Sequence, residues 1–131
     1  MLTRRRFAGC ALCAGLGLIA AEAPGQSPAI TRTILRRMDV PDTNYVNVLA
    51  RVEIGAGGLV ARHTHPGIES SFVQSGRGTL LVDGQTDLAL GPGVSFQVPP
   101  RTPHSARGGD APLLILISYV VEKDKPLASP A

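Results

Sequence analysis

The chain has 131 residues, of which 44% are hydrophobic and 18% are charged, and its formal net charge is +3 at pH 7. That length suits one domain built around one core. Residues 1–25 hold three of the arginines and one of the glutamates, so the rest of the chain is nearly neutral. A near-neutral chain with few aromatic residues lacks the basic surface that nucleic-acid binding requires, and we expect no nucleic-acid partner.

Residues 1–25 consist of a basic start, an apolar run and a region of small residues. This is the layout of a cleavable secretory signal peptide, and the apolar run is shorter than the roughly 20 residues that a membrane helix needs. Arg4 and Arg5, followed by Phe7, resemble the pair of a twin-arginine export signal; an ordinary Sec signal is the alternative. We therefore expect a periplasmic or otherwise exported protein with no stable membrane anchor after cleavage.

Residues 26–131 have the pattern of a single all-β domain. Apolar and polar residues alternate from Val46 to Ile54, which is the period of a half-buried strand. Asp83-Gly84 indicates a tight hairpin turn with positive φ angles between two strand-like runs. The run LLILISYVV, residues 113–121, is typical of a strand buried on both faces. No helical period is sustained, and turn residues recur roughly every eight to twelve residues, so we expect a sandwich or barrel.

The stretch RHTHPGIE holds two of the three histidines of the chain and a glutamate. Alternate residues of a strand face the same side, so His63 and His65 would both reach one metal ion. The pair Pro66-Gly67 would then turn the chain back and bring Glu69 to the same ion. Imidazole and carboxylate groups together suit Mn, Fe, Co, Ni or Zn rather than Ca. In the alternative interpretation each of these side chains packs or is solvated separately.

The spacing around these residues resembles the first sequence motif of the cupin superfamily. The positions that match it are Gly57, His63, His65, Glu69 and Gly76. A second cupin motif is similar to the spacing of Gly93, Pro99 and His104. This second stretch departs from the motif at Arg101, where glycine is customary, and at Gly108, where asparagine is usual. The resemblance extends from about residue 30 to residue 121.

The resemblance implies a small jelly-roll barrel, preceded by the cleavable signal peptide, that holds one divalent transition metal. The ligands that it implies are His63, His65, Glu69 and His104. Four ligands on an octahedral ion would leave two positions open for water, oxygen or substrate. We expect Mn or Fe, with Zn or Ni as alternatives, because a twin-arginine signal exports folded protein that could take up a weakly binding metal before export.

Related cupins support several oxidative and non-oxidative reactions, so the resemblance implies two classes of function. The first is a metal-dependent oxidoreductase of dioxygenase type, or a decarboxylase or other lyase, acting on a small oxygen-bearing molecule. The alternative is a non-catalytic module that binds a small ligand or a metal. Ser71, Phe96 and Gln97 are candidates to line the cavity. We also expect a homodimer, with residues 30–37 and 113–121 as candidate contacts.

Overall fold

The computed structural model describes residues 29–131, which form ten strands in two sheets of five strands each. The proposed signal peptide, with Arg4 and Arg5, lies outside the described residues. In chain order the strands are β1 (Ile30–Asp39), β2 (Tyr45–Ile54), β3 (Leu59–Thr64), β4 (Gly67–Ser75), β5 (Gly78–Val82), β6 (Leu88–Leu90), β7 (Ser95–Val98), β8 (His104–Gly108), β9 (Leu113–Glu122) and β10 (Ser129–Pro130). Within residues 29–131, no helix has the length and hydropathy needed to cross a membrane.

Both sheets are antiparallel, and their inner faces enclose the core. The first sheet has the order β1-β2-β9-β4-β7, and the second has the order β10-β3-β8-β5-β6. Alternate residues of the long strands point inward, as the side-chain period of a strand requires. The all-β prediction is confirmed for the described residues, and the two-sheet architecture is consistent with a jelly roll. The core consists of Val46, Val48, Ala50, Val52, Ile54, Val73, Leu80, Val82, Leu90, Val98, Ala106, Leu113, Ile115, Ile117, Tyr119 and Val121.

Strand β9 differs from its prediction on one face. Its inner face, from Leu113 to Val121, is buried, but the outward residues such as Leu116 and Val120 are only half-buried. The apolar run predicted burial on both faces, and this prediction is wrong for the outer face. The reason is that β9 lies between β2 and β4, and no further layer of the described chain covers that side of the sheet.

The hairpin around Asp83-Gly84 is present, but its connection is longer than a tight turn. Strands β5 and β6 pair antiparallel, and residues 83–87 connect them. Gly84 has a positive φ of 74°, whereas Asp83 does not have a positive φ. Gln85 N donates a hydrogen bond to Val82 O at 3.0 Å. A single left-handed residue, Gly84, is therefore enough to close this turn.

The link between β3 and β4 carries the chain from one sheet to the other. The two strands belong to different sheets, so β4 crosses to the opposite sheet and does not pair with β3. A side chain at Gly67 would collide with the backbone of Val120, and only glycine lets β4 pack this closely against β9. This crossing places the inner face of β4, which includes Glu69, opposite β3.

Strand β1 was not predicted. Its apolar residues do not alternate regularly, because Ile34 and Leu35 are adjacent, and the register with β2 shifts between Ile34 and Arg36. All ten residues of β1 are exposed, and among residues 29–131 the strand pairs only with β2. Ordinary strand periodicity is lost at such a bulge, so the sequence pattern does not reveal the strand.

Candidate metal centre

The three histidines converge on the inner face of the second sheet. His63 of β3 lies directly opposite His104 of β8 in the register of the two strands. His65 follows β3 by one residue and returns to the same side. His65 and His104 are almost fully buried, with 2% and 3% of their surfaces exposed. One ligand atom from each of the three rings lies within 4.8 Å of the others, so the histidines could together bind a metal ion.

Glu69 reaches the histidines from the opposite sheet. Its Oε2 lies 3.0 Å from His65 Nε2 and 3.2 Å from His104 Nε2. Its Oε1 accepts a hydrogen bond from Ser71 Oγ at 2.7 Å. The carboxylate is buried, with 4% of the residue exposed. The structure therefore brings together the four residues that the motifs singled out, and Ser71 fixes the orientation of the carboxylate.

The outer nitrogen of each imidazole ring lies against a backbone carbonyl. The Nδ1 atoms of His63, His65 and His104 are 2.8, 2.6 and 2.9 Å from the carbonyl oxygens of Ala61, Leu127 and Thr102, respectively. Because a carbonyl oxygen can only accept, each Nδ1 carries a proton, and in the neutral ring Nε2 directs its lone pair inward. Metal-ligating histidines usually have such a carbonyl or carboxylate partner on the second nitrogen.

When the rings are neutral, as metal binding requires, the inward-facing atoms are all acceptors, which tests whether a metal fits. His63 Nε2 and His65 Nε2 are 3.2 Å apart, and Glu69 Oε2 is close to two of the rings. Lone pairs held this close repel one another unless protons or a cation lie between them. A divalent transition metal satisfies all of them at once, and imidazole with carboxylate is a suitable donor set for one. The residues present therefore fit such an ion.

The pKa values reflect the mutual dependence of these groups. Burial alone would raise the pKa of Glu69, but the contacts from His104, His65 and Ser71 outweigh it and hold the pKa well below its usual range. Burial alone would lower the pKa of His104, but Glu69 and the Thr102 carbonyl raise it. Burial lowers the pKa of His63, with a further contribution from His104. Glu69 is therefore the negative charge of the cluster.

The cluster borders a small cavity of about 30 Å³ between the two sheets. Apolar side chains from both sheets form most of its wall, together with His63, Glu69, His104, Tyr119 and Arg32. The ring centroids of Tyr119 and His65 are 4.8 Å apart. Burial raises the pKa of Tyr119, so its hydroxyl remains protonated. A larger open groove of about 630 Å³ lies on the outside of the first sheet, but no titratable side chain of the described residues lines it.

The three candidate lining residues have different positions. Phe96 lines the cavity. Ser71 is buried and donates to Glu69. Gln97 is exposed and its Nε2 donates to Ser70 Oγ at 2.9 Å, so it lies on the outer face rather than at the cavity. The alternation of side chains along β7 separates Phe96 from Gln97 in this way.

Sequence reasoning missed two cavity residues and one backbone group. Tyr119 is one of the alternate residues of β9 that point inward, so the alternation along the apolar run could have predicted its position in the cavity wall. Arg32 had no such signal, because β1 was not recognised as a strand. The Leu127 carbonyl comes from the C-terminal tail, where β10 pairs with the edge of β3. Only the folded chain brings that tail to His65.

Comparisons with known proteins agree with this architecture. The protein family described as "Cupin domain" matches residues 50–119. A cupin-2 domain from Rhodospirillum rubrum has 23% sequence identity and a TM-score of 0.63, and the match covers 98% of this chain and 83% of that one. No curated protein sequence matches this chain.

Two enzyme structures have a similar fold. The DMSP lyase DddQ from Ruegeria pomeroyi DSS-3 has 22% identity and a TM-score of 0.64 over 80% of this chain and 52% of that one. An oxalate oxidase has 20% identity and a TM-score of 0.55 over 60% of this chain and 44% of that one. The chain thus spans about half the length of these two enzymes, and identities this low show the fold alone. From the family match over residues 50–119 and the two-sheet fold, the chain belongs to the cupin superfamily.

Proposed function

We propose that this chain is an exported, metal-dependent cupin enzyme. The reaction is that of an oxidoreductase of dioxygenase type or of a lyase, including decarboxylases, and the substrate is a small oxygen-bearing molecule. The metal is one divalent ion, Mn or Fe in preference to Zn or Ni, bound by His63, His65, Glu69 and His104. This proposal goes further than the finding that the chain is a cupin whose three histidines lie close enough together to bind a metal.

The convergence of four acceptor atoms carries this proposal. Three imidazole lone pairs and a carboxylate oxygen lie close together in a buried, mostly apolar cavity. Such an arrangement costs several kcal/mol in desolvation unless a positive charge offsets it. A structural role would be served at lower cost by apolar side chains, as in the rest of the core.

The residues of this chain have separable roles in the proposed reaction. A bound divalent ion would polarise a substrate oxygen and orient it. Ser71 holds the Glu69 carboxylate in one orientation through its 2.7 Å hydrogen bond. The Tyr119 hydroxyl is a donor in the cavity wall, and the apolar side chains around it exclude water from the reacting group.

The similarity to a DMSP lyase and to an oxalate oxidase supports both reaction types, since the same fold carries each of them. Fold alone does not determine which reaction occurs here. The oxidoreductase and the lyase differ in one testable respect, because a dioxygenase consumes oxygen and a lyase does not.

The experiment is a substrate screen with metal-loaded protein in two atmospheres. Small hydroxy, keto and carboxylic acids are incubated with Mn- or Fe-loaded protein, and oxygen uptake and products are recorded in air and under nitrogen. We expect turnover that is lost in His104→Ala. Turnover only in air supports the oxidoreductase, and turnover in both supports the lyase. Equal turnover by wild type and His104→Ala would contradict the proposal.

The small size of the cavity favours the alternative function. A volume of about 30 Å³ has room for an ion and roughly one water molecule, so a non-catalytic metal-binding module also fits. Stoichiometric metal without turnover of any compound in the screen would support this alternative.

Export and assembly are further parts of the proposal. Substitution of both Arg4 and Arg5 by lysine is expected to block export if the signal is of the twin-arginine type. We also propose a homodimer, supported by β1, an edge strand with Ile34 and Met38 exposed by 49% and 73%. Light scattering at micromolar concentration should give twice the chain mass, and a monomer would contradict the homodimer.

A further inference from the structure

Of the lysines and arginines in residues 29–131, Arg32 alone lines the metal cavity. It lies on β1, opposite Val52 of β2 in the strand register. Directly opposed residues of an antiparallel pair point to the same face of the sheet, and Val52 belongs to the buried core. Arg32 therefore projects toward the cavity. Arg36, which lies beyond the bulge in the same strand, is opposite Leu49 and points to the other face of the sheet.

The guanidinium group lies over an aromatic ring at the mouth of the cavity. Arg32 Cζ is 6.0 Å from the centre of the Tyr119 ring, which is within the range of a cation–π contact. This contact orients the planar guanidinium without using its N–H donors on a carboxylate. Arg32 as a residue is exposed, so its charged end is accessible from solvent.

No carboxylate of the described chain neutralises Arg32. The ion pairs formed by residues 29–131 use other cations, among them Arg51, Arg62 and Lys123. The nearest acid of the cavity, Glu69, pairs with His65 and His104 instead. An arginine that faces a tyrosine side chain and no carboxylate, beside a buried acceptor cluster, can bind an external carboxylate through two parallel hydrogen bonds.

We propose that Arg32 binds the carboxylate group of a small anionic substrate at the mouth of the metal cavity. This inference rests on the proposed function, because it assumes that the bound ion and Arg32 act on the same molecule. With a divalent ion in place, the positive charges of the ion and Arg32 exceed the one negative charge of Glu69. A cavity with this excess in a low-dielectric surrounding attracts anions and disfavours cations.

The size and the walls of the cavity limit the substrate further. The cavity of about 30 Å³ has room for roughly one water-sized group beside the ion. A substrate therefore places one oxygen-bearing end inside and its carboxylate outside, next to Arg32. The interior wall includes Ile54, Leu80 and Ile117, so a buried carboxylate or other oxygen function would have to bind the ion itself. The class is a short carboxylic acid with a second oxygen function.

The test compares anion binding by metal-loaded wild type, Arg32→Gln and Arg32→Lys. Malonate is the probe, malonamide is its neutral counterpart, and calorimetry gives the dissociation constants. Arg36→Gln is the matched control, since it removes the same charge from the opposite face of the same strand. Metal content and the thermal midpoint are measured for every variant, so that loss of metal or of folding is seen separately.

We expect wild type to bind malonate at least about tenfold more tightly than Arg32→Gln, because hydrogen bonds to charged groups contribute that much or more. Arg32→Lys should be intermediate, since lysine keeps the charge but not the planar pair of donors. Arg36→Gln should match wild type, and malonamide should bind poorly to all four proteins.

Three results would overturn the inference in distinguishable ways. Full metal content with equal malonate affinity in wild type and Arg32→Gln would reject the role of Arg32 and leave the metal centre intact. A folded wild type that takes up no metal would reject the proposed function and this inference with it. Equal weakening by Arg32→Gln and Arg36→Gln would show a general charge effect and would also reject it.

Discussion

The histidine cluster and strand β1 border the same cavity, but they are held in opposite ways. In the cluster, both nitrogens of each ring have a polar neighbour, and His65 and His104 are almost fully buried. In β1, all ten residues are exposed, and within the described part of the chain the strand pairs only with β2. A buried ligand set thus lies beside a cavity to which the exposed strand β1 contributes one side chain, Arg32. Substitutions in the cluster should change metal binding, and those in β1 should leave it intact.

The largest effect is expected from removing a ligand of the cluster. His104→Ala should weaken metal binding by more than about 100-fold, because loss of an outer-shell partner alone costs 10- to 100-fold. Competition with a chromophoric chelator measures the affinity. Ser105→Ala, one residue along β8, is the control and should bind like wild type. A His104→Ala protein that retained wild-type metal affinity would contradict the assignment of the histidine cluster as the metal site.

A smaller effect is expected from the residue that orients Glu69. Ser71→Ala removes the 2.7 Å hydrogen bond to the carboxylate and should lower metal affinity by about tenfold. Ser70→Ala is the matched control, because Ser70 lies on the outer face and accepts a hydrogen bond from Gln97. Equal affinities for the two variants would show that Ser71 serves packing only.

The pH should affect the cluster because protons compete with the metal for the histidine nitrogens. Metal affinity is expected to fall as the pH drops through about 6.5, the ordinary pKa of histidine. Glu69 raises the pKa of His104 in the metal-free protein, so that competition begins at somewhat higher pH at this residue. Chelator competition between about pH 8 and pH 5 measures this, and constant affinity over that range would contradict a tri-histidine site.

The smallest effect is expected at Arg101, which has a positive φ of 55°. A left-handed conformation costs a residue with a side chain roughly 1–2 kcal/mol, and glycine avoids most of it. Arg101→Gly should therefore raise the free energy of unfolding by up to about 1 kcal/mol in urea titration. Arg107→Gly, within β8, should instead lower it, because glycine weakens a strand. Destabilisation by both variants would reject this account of Arg101.

The sequence predicted the features that depend on local spacing. The alternation in β2, the hairpin at Gly84 and the motif positions of the cluster all follow from residues close together in the chain. It could not predict features that depend on distant pairing. The Leu127 carbonyl meets His65 only because β10 pairs with β3, and Arg32 faces the cavity only through the register of β1 on β2. The bulge in β1 removes the alternation that would have revealed it.

The central claim is that the four inward-facing acceptors hold one divalent metal ion. The most direct test is the metal content of protein purified through its own export route, measured by mass spectrometry against amino-acid analysis. The account predicts one transition-metal ion per chain, Mn or Fe in preference to Zn or Ni. A folded protein that contains no metal and takes up none of these ions when they are supplied would contradict it.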